Sequence, residues 1–186
     1  ATGSPYTTFT FQARDNGGTL NAGADLDQSP NTFTLNVTPL NHAPAGTDGS
    51  VGAFEDTGYT LTAANFGFTD PNDSIRNLLA GVKVTTLPAA GVLTNNNVPV
   101  SAGQEVAAVD IAAGKFKFLA AANANGVAYA SFTFQVRDNG GTVNGGVDLD
   151  ATPNTLTINV TPVNDPPAGG DGGIVIQEDT ALTFNA

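Results

Sequence analysis

Apolar and polar residues alternate along most of this chain, which is the pattern of half-buried β-strands. The clearest case is residues 127–137, where Phe132, Phe134 and Val136 fall on one face and polar residues fall on the other. Successive side chains of a strand point to opposite sides. We therefore expect these three residues to face a hydrophobic core.

Similar alternation predicts about seven short strands in the middle of the chain. Leu156, Ile158 and Val160 would point inward, as would Val82 and Val84, with Lys83 on the opposite face. The predicted strands are residues 51–54, 57–61, 79–87, 92–100 (a hairpin turning at residues 95–97), 115–119, 127–137 and 155–163. The run Ile174-Val175-Ile176 predicts one more strand near the end of the sequence. No segment keeps a helical period, although residues 74–80 have room for one helical turn.

Composition supports this reading. The chain has 22 Gly and 11 Pro but only 12% charged residues, and β-branched and turn residues outnumber strong helix formers. Seven or so short strands with alternating faces are typical of two sheets packed face to face. We therefore predict an all-β fold, a β-sandwich with almost no α-helix.

The chain repeats itself at a period of 123 residues. Residues 9–41 read FTFQARDNGGTLNAGADLDQSPNTFTLNVTPLN, and residues 132–164 read FTFQVRDNGGTVNGGVDLDATPNTLTINVTPVN, with 24 of 33 positions identical. Residues 55–57 (EDT) return at 178–180 with the same offset. Such a period indicates a tandem array.

The period divides the chain into three parts. Residues 1–41 are the C-terminal part of one repeat, residues 42–164 are one complete repeat, and residues 165–186 begin the next. We expect the natural N-terminus to lie elsewhere, because Ala1 falls inside a repeat. We also expect residues 1–41 to be frayed or paired with another chain, because the rest of their repeat is missing.

A family resemblance is carried by FTFQVRDNGG, VDLD, NTLTINVTPVNDPPAG, the EDT strand and FTDPND. Together they resemble the cadherin-like, immunoglobulin-like tandem repeats of giant secreted bacterial adhesins of the RTX type. The resemblance implies a Greek-key β-sandwich that acts as an extender between a cell surface and an adhesive domain. It also implies calcium near the repeat junctions, an extracellular location and a role in adhesion or biofilm matrix.

Charge narrows the classes of partner. Six Lys and Arg against 17 Asp and Glu give a net charge of −11, which argues against nucleic acid because a phosphate backbone needs a basic surface. The absence of Cys excludes disulfides and thiolate metal sites. The sequence contains no run of 18 apolar residues, so it predicts no membrane-spanning helix. The expected partners are neighbouring repeats and, if strands pair between chains, other copies.

Acidic residues cluster in predicted turns and at repeat ends, where carboxylate and amide oxygens are the ligands that calcium prefers. We expect the loop after residue 137 and the following linker to bind calcium together with the start of the next repeat, and the DPND turn to offer a second group. The candidate ligands are Asp138, Asp148, Asp150, Asn164, Asp165, Glu178, Asp70 and Asp73. Each of them also has the simpler interpretation of a solvated turn residue.

One difference between the two linkers bears on calcium binding. Asn164-Asp165 in the later linker corresponds to Asn41-His42 in the earlier one, and imidazole suits transition metals better than calcium. We therefore expect weaker calcium binding at the first linker. The single His and the lack of Cys also leave no nucleophile–base pair, so we expect no enzyme.

Two other functions stay open at this stage. One is a self-assembling sheath or filament subunit, since unpaired strand edges recruit other strands. The other is a calcium-dependent, lectin-like binding module, which needs exposed aromatic residues near the ion. An internal Lys–Asn crosslink at Lys83, Lys115 or Lys117 is a further option, against the simpler reading of exposed lysines on alternating strands.

Overall fold

A computed structural model describes residues 2–73 and 75–184 as mostly β structure in three sheets, with one short α-helix. The fold of the middle of the chain is sandwich-like, which confirms the predicted all-β class. The strands are β1 (Gly3–Phe11), β2 (Asn31–Val37), β3 (Gly49–Phe54), β4 (Tyr59–Thr60), β5 (Leu79–Val84), β6 (Val92–Asn95), β7 (Val98–Pro99), β8 (Glu105–Ala107), β9 (Phe116–Leu119), β10 (Gly126–Asp138) and β11 (Asn154–Thr161).

The larger sheet has the order β3-β11-β10-β5-β8. Its long central strand β10 pairs antiparallel with β11 and β5, whereas β3 pairs parallel with β11. Phe132, Phe134 and Val136 are at most 1% exposed, so the face predicted from their alternation is confirmed. The inward positions predicted on β11 and β5 are buried as well.

The second sheet has the order β4-β9-β6-β7 and covers the apolar face of the first. Phe116 and Phe118 of β9 are fully buried, and the Phe116 ring lies 6.5 Å from that of Phe132, edge to face. Phe66 joins from a 3-10 turn (Ala63–Phe66), 4.9 Å from Phe134. Aromatic pairs at these separations add to the free energy gained by burial alone.

A separate two-stranded sheet is formed by β1 and β2, which we call the free hairpin. Its register is that of β10 and β11 moved back by one period, so that Phe9 faces Phe33 as Phe132 faces Leu156. The free hairpin therefore forms with the backbone pairing of a complete repeat, but not one of its residues is buried.

Residues 162–184, after β11, contain no strand. The sequence suggests a strand at residues 174–176, the copy of β3, and that expectation is wrong for this chain. A strand needs a neighbour for its backbone hydrogen bonds, and β3 obtains them from β11. We call residues 165–184 the tail.

Smaller differences concern local structure. The sequence did not predict β8 or the adjacent α1 (Ala108–Ala112), which together span eight residues beside β5. The hairpin through residues 95–97 is confirmed, with Asn96 and Asn97 at positive φ. Of the predicted helical turn at 74–80, Ser74 lies outside the described residues, and residues 75–78 are not helical.

Within the described part of the chain, no helix has the length and apolar character needed to cross a membrane.

Candidate metal sites at the two ends of the repeat

Acidic side chains collect at both ends of the complete repeat, because the strands of the larger sheet end there. The leading end is where the linker of residues 38–46 arrives, beside the end of β10 at Asp138. The trailing end is where β3 and β11 finish and the tail begins. The pairing of Phe54 with Thr161 places the residues after both strands at the trailing end.

The trailing end holds a group of three carboxylates from Glu55, Asp56 and Asp165. One oxygen of each lies within 4.8 Å of the others, and among the residues that the structure describes this is the single such group. Glu55 follows β3 directly, and its backbone N–H donates to Thr161 O at 3.0 Å, which continues the β3–β11 pairing. The parallel strands thus bring two distant segments to one point.

Hydrogen bonds hold Glu55 in its charged form. Asn125 Nδ2 donates to Glu55 Oε2 at 2.8 Å, and the backbone N–H of Val163 donates to Oε1 at 2.7 Å. These two bonds lower the pKa of Glu55, the Asn125 contact more than the Val163 contact. Asp56 adopts a left-handed φ of 58° and accepts a bond from the backbone N–H of Asn123. Glu55 and Asp56 are thus held in place by hydrogen bonds to neighbouring loops, with their remaining oxygens available to a hard cation.

The leading end contains two buried carboxylates that are incompletely bonded. Asp70 is 4% exposed and Asp138 is 2% exposed. Asp70 Oδ2 accepts the backbone N–H of Asn77, and Asp138 Oδ1 accepts N–H groups of Gly140 and Asn41. The other oxygen of each, Asp70 Oδ1 and Asp138 Oδ2, is buried without any hydrogen-bond partner.

Such unpartnered buried oxygens are costly in a folded protein. Burial raises the pKa of Asp138 above its usual value, and repulsion from Asp70 and Asp148 raises it further. A cation between Asp70 and Asp138 would give each unpartnered oxygen a contact and would replace the repulsion between the carboxylates with attraction. The donor set of Asp70, Asp138 and nearby amide oxygens is of the all-oxygen kind that suits calcium.

Asn41 of the linker bonds to Asp138 directly and reaches Asp70 only through Asn77, whose backbone N–H donates to Asp70. The Nδ2 of Asn41 donates to Asp138 Oδ1 at 3.1 Å, to Val147 O at 2.7 Å and to Gly141 O at 3.1 Å, and its Oδ1 accepts from Asn77. A Cβ on Gly140 would overlap the Asn41 amide, so glycine is required at 140. Beside this network lies a cavity of about 250 Å³, lined by Pro39, Leu40, Asn41, Asp73, Ile75, Asn77 and Gly140.

Asp73 also lies at the leading end, but its carboxylate is already bonded to His42. The backbone N–H of His42 donates to Asp73 at 3.1 Å, and His42 Nδ1 lies 2.6 Å from Asp73 Oδ1. The contact with His42 is the main reason that the pKa of Asp73 is lowered. His42, which stands where the later linker has Asp165, therefore engages a predicted calcium ligand.

The three aspartates that the sequence grouped in one loop lie close in the backbone, where the Asp138 N–H donates to the Asp148 carbonyl at 2.9 Å, but their side chains have different partners. Asp138 turns toward Asp70. Asp148 Oδ1 accepts a hydrogen bond from Arg137 at 2.6 Å, and Arg137 also donates to Glu105 at 2.8 Å. The carboxylate of Asp148 is therefore already paired with Arg137, which it shares with Glu105.

Asp150 has a structural role. It is 5% exposed, and its carboxylate accepts the backbone N–H of Gly46 at 2.8 Å, that of Thr152 at 3.2 Å, and Asn154 Nδ2 at 2.7 Å. These bonds tie the arriving linker to the loop between β10 and β11. With its oxygens so engaged, Asp150 is a clamp for the linker.

The remaining predicted ligands lie around the trailing end. Asp165 belongs to the carboxylate group there, while Asn164 makes only a bond to the carbonyl of Asp165. Glu178 is exposed in the tail, and its role stays a prediction. The sequence reasoning missed Glu55 and Asp56 as partners of Asp165, although the return of EDT at 178–180 had marked the motif. Comparison with protein-family models, curated protein sequences and solved structures gives no match for this chain.

Proposed function

We propose that this chain is an extender segment of an extracellular tandem array, an adhesin or surface fibre, in which calcium stiffens the junctions between immunoglobulin-like or cadherin-like sandwiches. The observation that carries the proposal is the pair of buried, unpartnered carboxylate oxygens of Asp70 and Asp138 at the leading end. The carboxylate group at the trailing end supports it independently. We propose no enzymatic role.

The two ends would form one site in a tandem array. Asn164 is the copy of Asn41, and Asn41 bonds directly to Asp138 in the leading end. In the next repeat, Asn164 would take that place beside the copies of Asp70 and Asp138. Asp165 follows Asn164 and already lies with Glu55 and Asp56. The linker thus makes the trailing group of one repeat continuous with the leading group of the next.

Charge explains how such a site would control stiffness. Without a cation, the carboxylates of the two ends repel each other, and the linker between them is free to bend. A cation bound to both ends would replace that repulsion with attraction and fix the angle between repeats. A ligand that binds only the ordered state stabilises it by about 2.7 kcal/mol at a hundredfold excess over Kd. Extracellular modules bind calcium with Kd of about 10⁻⁴–10⁻³ M.

Calcium titration calorimetry on the 186-residue chain tests the proposal. We expect binding by the wild type, loss of the leading-end part of the binding heat for Asp138→Asn, and unchanged binding for Asp15→Asn. Asp15 is the copy of Asp138 in the free hairpin and is exposed, which makes it a matched control. Wild-type binding that survives Asp138→Asn unchanged would remove the leading-end site.

The difference between the linkers gives a second test. Asp165→His installs the residue of the first linker and should weaken binding at the trailing end. His42→Asp should strengthen binding at the leading end, because it replaces the imidazole on Asp73 with a carboxylate. Absence of calcium binding by all of these proteins would end the calcium assignment and leave the extender role to rest on the repeat alone.

A further inference from the structure

Three polar side chains, those of Asn95, Asp110 and Lys115, meet beside the second sheet and take no part in the proposed function. Lys115 Nζ donates to Asp110 Oδ1 at 2.8 Å, and Asn95 Nδ2 donates to Asp110 Oδ2 at 3.0 Å. One carboxylate thus bonds a lysine amine through one oxygen and an asparagine amide through the other. Among the described residues, neither Lys83 nor Lys117 forms an ion pair, so the structure selects Lys115 from the three lysines considered for a crosslink.

The backbone also holds these three residues together. Asn95 ends β6, and the backbone N–H of its neighbour Asn96 donates to Lys115 O at 3.1 Å. Lys115 is therefore one position away from lying directly opposite Asn95. Asp110 belongs to α1, and a turn through Gly114 at φ 69° brings the chain back, so that the backbone N–H of Lys115 donates to Asp110 O at 3.0 Å.

The side-chain amide of Asn95 is incompletely bonded. Its Nδ2 faces Asp110, whereas its Oδ1 is buried without any hydrogen-bond partner. A buried acceptor of this kind is costly in a folded protein and calls for an explanation. Burial also keeps water from that side of the amide carbon Cγ, which protects it from hydrolysis. The amide is thus closed to water and open to a lysine.

Asp110 is ionised and placed to accept a proton. Its bond from Lys115 lowers its pKa most, and the bond from Asn95 lowers it further. The Asp110 side chain is 28% exposed and that of Lys115 is 44% exposed, and an ion pair with so much contact with solvent contributes little to stability. The asparagine on the second oxygen is what gives the cluster a possible reaction.

We propose that Lys115 and Asn95 form an intramolecular amide bond, with Asp110 relaying the protons. Lys115 Nζ gives one proton to Asp110 and then, as a neutral amine, attacks Asn95 Cγ. Nζ gives up a second proton as the Cγ–Nδ2 bond breaks, and Nδ2 receives both protons through Asp110 and leaves as ammonium. The products are one Nζ–Cγ amide and one ammonium ion, and Asp110 returns to its starting charge. The reaction consumes no oxidant and no second substrate.

This bond would close a covalent loop inside the complete repeat. Residues 95 and 115 are about 20 positions apart, so a fibre pulled from its ends would be unable to extend the segment between them, a length of about 70 Å. The bond shares no residue with the carboxylate groups at the two ends of the repeat. The tests below are made in chelator, so their outcome is independent of the proposed function.

Mass spectrometry of the intact, denatured 186-residue chain tests the proposal. We expect the wild type to be lighter than its sequence by one ammonia, and Lys115→Arg, Asp110→Asn and Asn95→Ala to have their full sequence masses. The fraction with the bond should rise after incubation at alkaline pH, because the attack needs a neutral amine. Lys117→Arg is the matched control, since it changes another lysine of the same segment, in β9, and should keep the loss.

Two outcomes would overturn the proposal. One is a wild type that keeps its full sequence mass even after alkaline incubation. The other is a loss of ammonia that persists in Lys115→Arg or in Asn95→Ala. Because the first outcome concerns the unaltered chain, it does not depend on whether any variant folds.

Peptide mapping distinguishes the bond from a succinimide, which forms at an Asn–Gly pair with the same loss of mass. Cleavage after Lys, Arg and Glu cuts the chain at Glu105, between the two partners. The bond blocks cleavage at Lys115 and leaves residues 84–105 joined to residues 106–117 as one branched species. A succinimide leaves the peptides separate and is hydrolysed at alkaline pH, where the proposed bond accumulates. Separate peptides, with the missing ammonia located at an Asn–Gly pair, would refute the crosslink.

Discussion

The free hairpin and the β10–β11 hairpin have nearly the same sequence and the same register, yet their surroundings are opposite. Phe134 of β10 is fully buried, while its copy Phe11 is 46% exposed. Local pairing is therefore set by the hairpin sequence, including the irregularity between residues 3 and 7 that recurs between 126 and 130. Burial is set by distant segments that only the complete repeat has. Residues that occupy the same repeat position in the two hairpins can therefore be compared directly, because they differ mainly in burial.

The largest difference between copies should appear in the core. Phe134→Ala removes a fully buried ring that packs edge to face on Phe66, and should lower the free energy of unfolding by about 3–5 kcal/mol. Phe11→Ala, on the exposed copy, should change it by less than about 0.5 kcal/mol. Urea denaturation of the 186-residue chain, followed by far-ultraviolet circular dichroism, measures both. Equal losses would mean that the free hairpin is part of the same cooperative unit.

The core positions could be predicted from the sequence because alternation is a local signal. Phe132, Phe134 and Val136 needed only the period of two. The short strand β8 left no such signal, since its three residues contain a single inward apolar side chain, Val106. The β-branched run Ile174-Val175-Ile176 favoured a strand that the structure lacks, because such a run records a local preference and not the presence of a neighbouring strand.

The candidate site was harder to predict than the core. The clustering of acids at repeat ends is visible in the sequence, and Asp70, Asp138 and Asp165 do lie at those ends. Their partners depend on long-range pairing. Glu55 meets Asp165 only because β3 runs parallel to β11, and Asp148 is paired with Arg137 only because both flank the same turn. Sequence spacing does not distinguish a carboxylate that is already bonded from one that is not.

The second largest difference in stability between copies should appear at Asp150, which bonds the linker to the loop between β10 and β11. Asp150→Ala leaves the half-buried N–H of Gly46 without an acceptor, together with the donors of Thr152 and Asn154, and should lower the free energy of unfolding by about 1–3 kcal/mol. Its copy Asp27 makes the bonds within its own loop, to Ser29 and Asn31, but has no linker to hold. Asp27→Ala should leave the unfolding of the repeat unchanged. A similar loss for both variants in urea denaturation would show that the loop bonds, rather than the linker bond, are what matters.

The smallest difference in stability should appear between Asp138→Asn and Asp15→Asn, and it should depend on pH. Burial raises the folded-state pKa of Asp138, so the folded state takes up a proton more readily than the unfolded state. The stabilisation that this proton gives is lost as pH rises through the folded-state pKa. At pH 7 without calcium, Asp138→Asn should therefore be more stable than wild type, by about 1–2 kcal/mol. The gap in the free energy of unfolding should narrow as pH falls through the raised folded-state pKa of Asp138, because the wild-type carboxyl then becomes neutral. Asp15→Asn, its exposed copy, should show no gap at either pH. Urea denaturation in chelator at several pH values measures the difference. A variant that is less stable than wild type at pH 7 would mean that the bonds from Gly140 and Asn41 outweigh the buried charge, and that the leading end needs no cation to be stable.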